Sequence, residues 1–262
     1  MQKVLTVAGS DCSGGAGIQA DLKTITAHGH YGMSVITALT AQNTLGVSGI
    51  YEVSPQFVEE QLNRICEDIY PDAVKIGMLY NAEIMKCLCR KIKEYRLRNI
   101  VLDPVMVSTS GKSLLKEEAA AILIDELLPL SHVFTPNLYE ASAVSGISIR
   151  SKSDMLAAVQ KIGSRYDGYI LMKGGHLQEC CDDLLYKDGE VYWLRQERID
   201  NPNTHGTGCT LSSAIACNLA KGKETRDSIT AAKEYVTGAI RANLKLGRGN
   251  GPLNHVWNLP LY

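Results

Sequence analysis

The fold of this chain is indicated first by Val4-Leu5-Thr6-Val7-Ala8, which runs directly into Gly9-Ser10-Asp11. A short, mostly apolar run that ends in a glycine turn is typical of a buried strand. The residues that follow place Ile18, Leu22 and Ile25 on one face of a helix. A buried strand joined directly to an amphipathic helix is the repeating unit of α/β domains.

The same unit recurs along the 262 residues. Later apolar runs predict four more strands: Ala73–Ile76, Ile100–Leu102, Val133-Phe134 and Tyr169–Met172. Because helical patterns lie between them, we expect an α/β fold with a mostly parallel central sheet and helices on both faces. Neither a linker nor an internal repeat interrupts the pattern, so residues 1–262 are expected to form a single domain.

Two hairpins and one further helix complete the prediction. The hairpins pair Met33–Ala41 with Val47–Val53 and Leu184–Tyr186 with Val191–Leu194. The second pair flanks an Asp-Gly dipeptide, which is a strong hairpin signal. Pro55 is expected to open a helix whose inward face carries Phe57, Leu62 and Ile65.

The overall charge excludes two classes of function. The net charge is −1, from 27 basic and 28 acidic residues that form no run of like charge. Nucleic-acid and membrane-surface binders need a clustered positive field, so neither partner is expected. No segment approaches the roughly 20 apolar residues of a membrane span. The eight cysteines contain no C-x-x-C pair and no export signal precedes them, so we expect a cytoplasmic protein with reduced thiols.

Residues that bear chemistry follow the predicted strands. In open α/β sheets, ligands bind at the carboxyl ends of the strands. The residues found at these positions are Asp11, Gly77, Asp103, Asn137, Lys173 and the segment His205–Cys209.

A glycine-rich segment before a long helical pattern is the clearest local signal. Residues 203–210 read Asn-Thr-His-Gly-Thr-Gly-Cys-Thr. Two glycines one residue apart let successive amides turn the same way, and the helix start adds free N–H groups and a positive dipole end. Such a segment can form an anion hole for a transferring phosphate, although a glycine loop with a threonine cap would look the same.

Five ordered motifs together resemble one kinase family. They are Ala8–Asp11, Ser13–Lys23, Thr40–Thr44, Asp103–Met106 and His205–Thr210. In this order they are similar to the hydroxymethylpyrimidine/phosphomethylpyrimidine kinases of thiamine synthesis, in the ribokinase-like superfamily. The resemblance implies ATP-dependent phosphorylation of the hydroxymethyl group of 4-amino-5-hydroxymethyl-2-methylpyrimidine. The family alone adds a second phosphorylation, of the monophosphate to the diphosphate, as well as Mg²⁺ and a homodimer.

The resemblance assigns the reacting end of the site. It implies that Gly206 and Gly208 form the anion hole and that Cys209 stands where sugar kinases carry an aspartate base. A helix N-terminus is expected to lower the pKa of this thiol, and bound phosphate to raise it again. Phosphoryl transfer has a loose transition state, so a weak base or a positioning group would be sufficient.

The resemblance also assigns the nucleotide end. It places Asp103, Lys173 and Thr207 against ATP, with Asp103 also serving the metal. Glu140 would hold water around Mg²⁺, which needs only one or two carboxylates. Asn137 and Glu140 also have the spacing of a helix capping box, and both interpretations can hold together.

For the alcohol, the resemblance points to Gly9, Asp21, Gln42, Met78 and Val105. The Gln42 amide can pair with an aminopyrimidine edge, because it donates and accepts side by side. Met78 would pack on the ring, although it could equally fill the core. Asp21 could instead be an exposed helix charge.

Two alternatives stay open at this point. Pyridoxine/pyridoxal kinase shares the fold and the Gly-Thr-Gly-Cys motif. A non-catalytic pyrimidine-binding regulator of the same fold is the other alternative. The intact set of Asp103, Glu140, Lys173 and Gly206–Cys209 counts against the regulator, since a sensor needs no groups for phosphate transfer.

Overall fold

A computed structural model describes residues 1–106, 117–175, 177 and 181–259. Nine strands form one sheet in the order β3-β2-β1-β4-β5-β6-β7-β8-β9. The strands are β1 (Lys3–Asp11), β2 (Tyr31–Asn43), β3 (Gly46–Glu52), β4 (Ala73–Ile76), β5 (Ile100–Leu102), β6 (Val133–Phe134), β7 (Tyr169–Met172), β8 (Asp183–Lys187) and β9 (Glu190–Leu194). The helices are α1 (Gly17–Ala27), α2 (Pro55–Asp68), α3 (Ala82–Tyr95), α4 (Glu117–Ile122), α5 (Leu138–Ser145), α6 (Lys152–Gly163), α7 (Thr207–Ala220) and α8 (Thr225–Arg241).

The pairing confirms a mostly parallel sheet. Strand β1 pairs in parallel with β2 and β4, and the parallel run continues through β5 and β6 to β7. The two expected hairpins are present, β2 with β3 and β8 with β9, and β8 also runs antiparallel to β7. The carboxyl ends of six parallel strands therefore meet at one edge of the sheet.

Helices cover both faces of the sheet, and the strand sequences explain how. Successive side chains of a strand point to opposite faces. In β1, Leu5 and Val7 enter a core that includes α2, α3 and α6, whereas Val4 faces a second core that includes α7 and α8. The side chains of β5 alternate in the same way: Ile100 and Leu102 enter the first core, and Val101 enters the second. The two-sided arrangement predicted from the sequence is confirmed.

Two details of the helices differ from expectation. Phe57 is 59% exposed, and the buried face of α2 carries Val58, Leu62 and Cys66 at intervals of four residues. Phe57 lies off this stripe, so its assignment to the core was wrong. The sequence pattern predicts a closing helix over Thr225–Leu246, but α8 ends at Arg241, since the chain turns at Asn243 with φ of 48°. Within the described ranges, no helix is long and apolar enough to cross a membrane.

Candidate active site

The turn after β1 is organised by the carboxylate of Asp11. This carboxylate accepts hydrogen bonds from the backbone N–H and hydroxyl of Ser13 and from the backbone N–H groups of Gly15 and Ala16, at 2.7–3.1 Å. The His205 Nε2 lies 3.1 Å from Asp11 Oδ2. Burial opposes ionisation, yet these hydrogen bonds lower the pKa of Asp11 to about 2. Asp11 is therefore a carboxylate at neutral pH, and it ties the first loop to the segment before α7.

Gly206 lets the two glycine-rich loops meet backbone to backbone. Its φ is 81°, and a β-carbon built there would lie 1.9 Å from the Gly15 carbonyl oxygen. No other residue type fits this contact, because a side chain would need both a left-handed backbone and a displaced loop. Helix α7 begins at the next residue, Thr207, whose hydroxyl donates to the Thr204 carbonyl. The position of the α7 N-terminus is thus set by contact with the first loop.

The α7 N-terminus faces charged groups from three neighbouring strands. A β-carbon on Gly208 would lie 3.3 Å from Asp103 Oδ2 and 3.4 Å from Lys173 Nζ. Lys173 Nζ is 2.8 Å from Asp103 Oδ1 and 3.9 Å from Glu140 Oε2. Asp103, Glu140 and Lys173 follow β5, β6 and β7, which are adjacent and parallel. The groups assigned to the nucleotide therefore lie together beside the glycine segment.

Glu140 is a buried carboxylic acid within a complete capping box. Its Oε2 accepts from the Asn137 N–H at 2.7 Å, and its own N–H donates to Asn137 Oδ1 at 2.9 Å. Burial raises the pKa of Glu140 to about 7, although Lys173 opposes this shift; Asp103 adds to it. The capping interpretation is confirmed, and the same carboxyl group is close to ionisation at neutral pH.

The pKa of the Cys209 thiol is raised, whereas the sequence predicts that the helix N-terminus lowers it. Burial raises its pKa to about 11, although Lys75 and the Gly17 N–H act in the opposite direction. The expectation that the helix N-terminus would lower this pKa was wrong, since removal of water from the thiolate outweighs the favourable dipole. The residue as a whole keeps part of its surface exposed.

Four of the residues assigned to the alcohol lie around the first two strands and the turns beyond β4 and β5. Gln42 Nε2, at the end of β2, lies 3.0 Å from His205 Nε2. The Met78 methyl group lies against Gly9, where an added β-carbon would approach it to 2.4 Å. The Val105 N–H donates to the Asp103 carbonyl at 2.9 Å. Gln42 is therefore next to the segment that leads into α7.

Asp21 occupies a different place from the one expected. The residue is completely buried, and its carboxylate accepts hydrogen bonds from Thr6, Ser213 and Lys75 at 2.6–2.8 Å. A carboxylate with no exposed surface cannot touch a substrate in this arrangement, and the alternative of an exposed helix charge is also wrong. Asp21 instead joins α1 to β1, β4 and α7 beneath the site.

Lys75 is the buried partner of Asp21, and sequence reasoning missed it. It is completely buried in β4, and an added β-carbon on Gly77 would lie 2.7 Å from its Nζ. Burial opposes its charge, but Asp21 raises the pKa of Lys75 above its ordinary range. A lysine inside the apolar run Ala73–Ile76 was the available signal, because a buried charge requires a buried partner.

An open cleft lies at the same edge of the sheet. A cleft of about 400 Å³ runs between the end of β9 and α8, lined by residues that include Trp193, Arg195 and Lys233. Lys233 pairs with Asp183, whose other oxygen accepts from the Gly174 N–H at 2.9 Å. Gly174 follows Lys173, so the cleft is connected directly to the charged cluster beside α7.

Comparison with known proteins agrees with this geometry. A family model described as phosphomethylpyrimidine kinase matches residues 11–254. The chain is 48% identical over 259 residues to the hydroxymethylpyrimidine/phosphomethylpyrimidine kinase of Streptomyces coelicolor, covering 98% of this chain and 95% of the relative. It is also 48% identical over 254 residues to a thiamine biosynthesis bifunctional protein of Geobacter sulfurreducens, covering 97% of this chain. The match covers 52% of that protein, so the chain spans about half its length.

A solved structure supports the same relationship. The ADP complex of Bacillus subtilis pyridoxal kinase superposes with a TM-score of 0.90 at 40% identity, covering 97% of both chains. The fold and the charged cluster at the α7 N-terminus thus agree with the names of the relatives, which are kinases and match nearly the whole chain. This chain belongs to the phosphomethylpyrimidine kinase family and is a small-molecule kinase with a ribokinase-like α/β fold.

Proposed function

We propose that this kinase transfers the γ-phosphoryl group of ATP to the hydroxymethyl group of 4-amino-5-hydroxymethyl-2-methylpyrimidine, and then phosphorylates the monophosphate to the diphosphate. The observation that carries the proposal is the position of Gln42, 3.0 Å from the His205 that leads into the α7 N-terminus. An amide beside an anion hole can hold a polar ring edge while the hydroxymethyl group points at the phosphate.

The chain's own groups account for the transfer by position and charge. Amides of the Gly206–Gly208 segment would hold the transferring phosphoryl oxygens, and Lys173 would offset their charge. Cys209, one residue further into α7, would lie beside the attacking hydroxyl. Because the transition state is loose, proton removal from the alcohol can come late. The fixed contact between Gly206 and Gly15 supports this arrangement, since it holds the donors in place before the substrate arrives.

We place the nucleoside part of ATP in the cleft between β9 and α8. The cleft adjoins Lys173 through Gly174 and Asp183, and Arg195 and Lys233 line it. A nucleotide whose phosphates meet Lys173 would direct its base toward this opening.

Mg²⁺ is proposed at the Asp103 and Glu140 carboxylates. Among the residues that the structure describes, no group of three or more His, Cys, Asp or Glu side chains could hold a metal ion. The two carboxylates therefore fit an ion held mainly by water and phosphate, as Mg²⁺ commonly is. Burial, with a smaller contribution from Asp103, raises the pKa of Glu140, and a nearby cation would favour the ionised form of this carboxyl group. Bound there, the ion would neutralise charge that develops on the phosphates.

Glu140→Gln is expected to lower Mg²⁺-dependent turnover by about tenfold or more while the melting temperature changes little. Glutamine keeps an oxygen that can accept from the Asn137 N–H, so the capping box persists, whereas the charge is lost. Turnover measured across a Mg²⁺ titration, together with thermal melting, checks this expectation.

Asp154→Asn supplies the matched control. Asp154 occupies the same position in the capping box of α6, with Ser151 as its partner. This variant should leave the Mg²⁺ titration unchanged. If Glu140→Gln behaves like Asp154→Asn, the Glu140 carboxylate serves only the helix cap.

The choice of alcohol is tested at Gln42. Hydroxymethylpyrimidine presents a ring nitrogen beside an amine, whereas pyridoxal presents a phenolic oxygen and lacks that pair. A buried amide left partly unpaired costs about 1–3 kcal/mol, so wild type should prefer the pyrimidine by roughly tenfold to a hundredfold. Gln42→Met keeps the volume and removes both hydrogen bonds. It should lower kcat/KM for the pyrimidine sharply and leave pyridoxal turnover unchanged or higher.

Pyridoxal kinase remains the second candidate, because the Bacillus subtilis structure with a TM-score of 0.90 carries that name. Competition between the two alcohols, with wild type and Gln42→Met, separates the candidates. If wild type prefers pyridoxal, or if the variant loses both activities equally, pyridoxal kinase becomes the favoured function.

We also propose a homodimer that acts in the cytoplasm. The β2–β3 hairpin at the edge of the sheet carries exposed apolar side chains, with Leu39 at 44%, Leu45 at 61% and Tyr51 at 72% exposure. An apolar edge hairpin is a surface that a second copy could cover.

Tyr51→Glu is expected to shift the protein toward monomer in light-scattering measurements, because a charge would have to be buried in the contact. Tyr139→Glu is the control, since Tyr139 is 68% exposed on α5 and away from the hairpin. Equal oligomeric states for wild type and Tyr51→Glu would contradict the proposed dimer surface.

A further inference from the structure

One nitrogen of His205 is in contact with two different side chains. Its Nε2 lies 3.1 Å from Asp11 Oδ2 and 3.0 Å from the Gln42 amide nitrogen. An imidazole nitrogen either donates or accepts, and it cannot do both at once. The two contacts together therefore restrict the position of the proton and the orientation of the amide.

Asp11 decides the position of the proton. The same Oδ2 accepts from the backbone N–H groups of Gly15 and Ala16 at 3.1 and 2.8 Å, so it is a hydrogen-bond acceptor. The low pKa of Asp11 agrees, because an ionised carboxylate has no proton to donate. His205 Nε2 must then carry the hydrogen and donate it, whether the ring is neutral or charged.

The Gln42 amide must consequently turn its oxygen toward His205. With a donor on His205 Nε2, an amide NH₂ at 3.0 Å would oppose two donors. The oxygen and nitrogen of an amide have nearly the same shape, and their assignment follows from the hydrogen bonds. Rotation of the amide by half a turn removes the opposed donors, and the single Nε2 hydrogen of His205 is then shared between Asp11 Oδ2 and the Gln42 oxygen.

Thr40 independently favours the same rotation. Its hydroxyl lies 3.0 Å from the Ser10 carbonyl and 3.2 Å from Gln42 Oε1, and a hydroxyl has one hydrogen for these two acceptors. With the amide rotated, the hydroxyl donates to Ser10 and accepts from the Gln42 NH₂. Two partners on opposite sides of the amide thus select one orientation.

We infer that His205 and Thr40 lock the orientation of the Gln42 amide, with Asp11 fixing the His205 proton, and that this lock determines which ring edge the enzyme accepts. The inference rests on the proposed function, in which Gln42 contacts the ring. In the locked amide, one N–H and one oxygen lone pair remain for a ligand. The lock fixes which end of the amide offers the donor and which end offers the acceptor. His205, Thr40 and Asp11 are positioning residues, since they act on the ring through Gln42.

The lock predicts discrimination between two almost identical alcohols. The 4-amino pyrimidine offers an acceptor nitrogen beside a donor amine. Its 4-oxo analogue, in the N3–H form, offers a donor beside an acceptor, which is the reverse order. An amide that rotates freely could pair with either ring, whereas a locked amide pairs with one. Wild type should therefore favour the amino ring over the oxo ring by roughly tenfold to a hundredfold in kcat/KM.

The test compares this amino-to-oxo ratio in three variants. His205→Leu and Thr40→Val each remove one side of the lock, and the ratio should fall at least several-fold, mainly through KM. His205→Gln retains an N–H donor of similar reach and should keep most of the ratio. Unchanged ratios in both His205→Leu and Thr40→Val would overturn the lock.

A second measurement tests the lock without activity. Nitrogen-15 NMR of the His205 ring should show a proton on Nε2 in wild type, and an imidazole protonated on Nδ1 alone would overturn the inference. Failure of the proposed function has a different signature, because wild type would then prefer pyridoxal whatever the His205 proton position. The ring measurement also remains valid for any variant that folds too poorly for kinetics.

Discussion

Gly206→Ala is expected to lower kcat/KM by about 10³-fold. Loss of a single oxyanion-hole donor commonly costs about 10²–10³ in rate, and this change displaces a whole loop. The new β-carbon would lie 1.9 Å from the Gly15 oxygen, and the backbone would keep a φ of 81°. The α7 N-terminus and the first loop must then move apart. Steady-state kinetics and thermal melting on the purified variant measure both consequences.

Gly222→Ala is the matched control for backbone strain. Gly222 follows the other end of α7 with φ of 78°, and nothing lies within 4 Å of an added β-carbon. It should lose about 1 kcal/mol of stability with activity intact. Similar activities for the two variants would show that the contact between the loops has no role in phosphate transfer.

Gly208→Ala keeps the test valid if Gly206→Ala does not fold. Gly208 is the second residue of α7 and has no left-handed backbone, so alanine is compatible with its conformation and the melting temperature should change little. The new methyl group would nevertheless enter the space beside Asp103 and Lys173, and activity should fall.

Cys209→Ala is expected to slow turnover by about 10²–10⁴-fold, the usual range for a general base, while the alcohol still binds. With a pKa near 11, only about one thiol in 10⁴ is ionised at pH 7. Turnover that depends on the thiolate should therefore rise about tenfold per pH unit between pH 7 and pH 9. The alanine variant should lack this slope. A loss below about tenfold at pH 7 would make Cys209 a packing residue.

Cys217→Ala provides the comparison within the same helix. Cys217 is completely buried eight residues further along α7, and burial raises its pKa to about 12. Its removal should cost packing stability and leave the pH slope of turnover unchanged.

Alkylation of Cys209 by iodoacetamide should slow when ATP and the alcohol are bound, which mass spectrometry of the labelled peptide can follow.

The sequence predicts much of the fold and the positions of the residues assigned to the phosphates. Both depend on the order in which neighbouring elements follow one another along the chain. Asp103, Glu140 and Lys173 come after strands that are consecutive in the chain and adjacent in the sheet. Residues with that property meet at one edge without any knowledge of packing. The hairpins and the start of α7 follow from turn residues and glycine spacing in the same way.

The remainder of the site depends on contacts between residues that are far apart in the chain, and the order of the elements does not reveal these contacts. His205 and Asp11 are 194 residues apart, and their contact depends on how two loops pack. Whether Asp21 faces a ligand or the interior is decided by Lys75, whose position inside an apolar strand shows a buried partner but not which one. The pKa of Cys209 was misjudged for a similar reason, since the helix end is visible in sequence and the depth of burial is not.

Helix α7 has a consequence for how hydrogen exchange should respond to ligands. Every residue from Thr210 to Ala220 is buried, although the helix begins at the accessible end of the site. Amides in such a segment exchange with solvent only when much of the domain opens. Substrates that bind only the folded protein raise its global stability, so they should slow the exchange of Thr210–Ala220 only by the factor that mass action gives. Local slowing would be confined to the Gly-Thr-Gly segment and the loop after β1, so the helix serves as an internal reference for the stability of the whole domain.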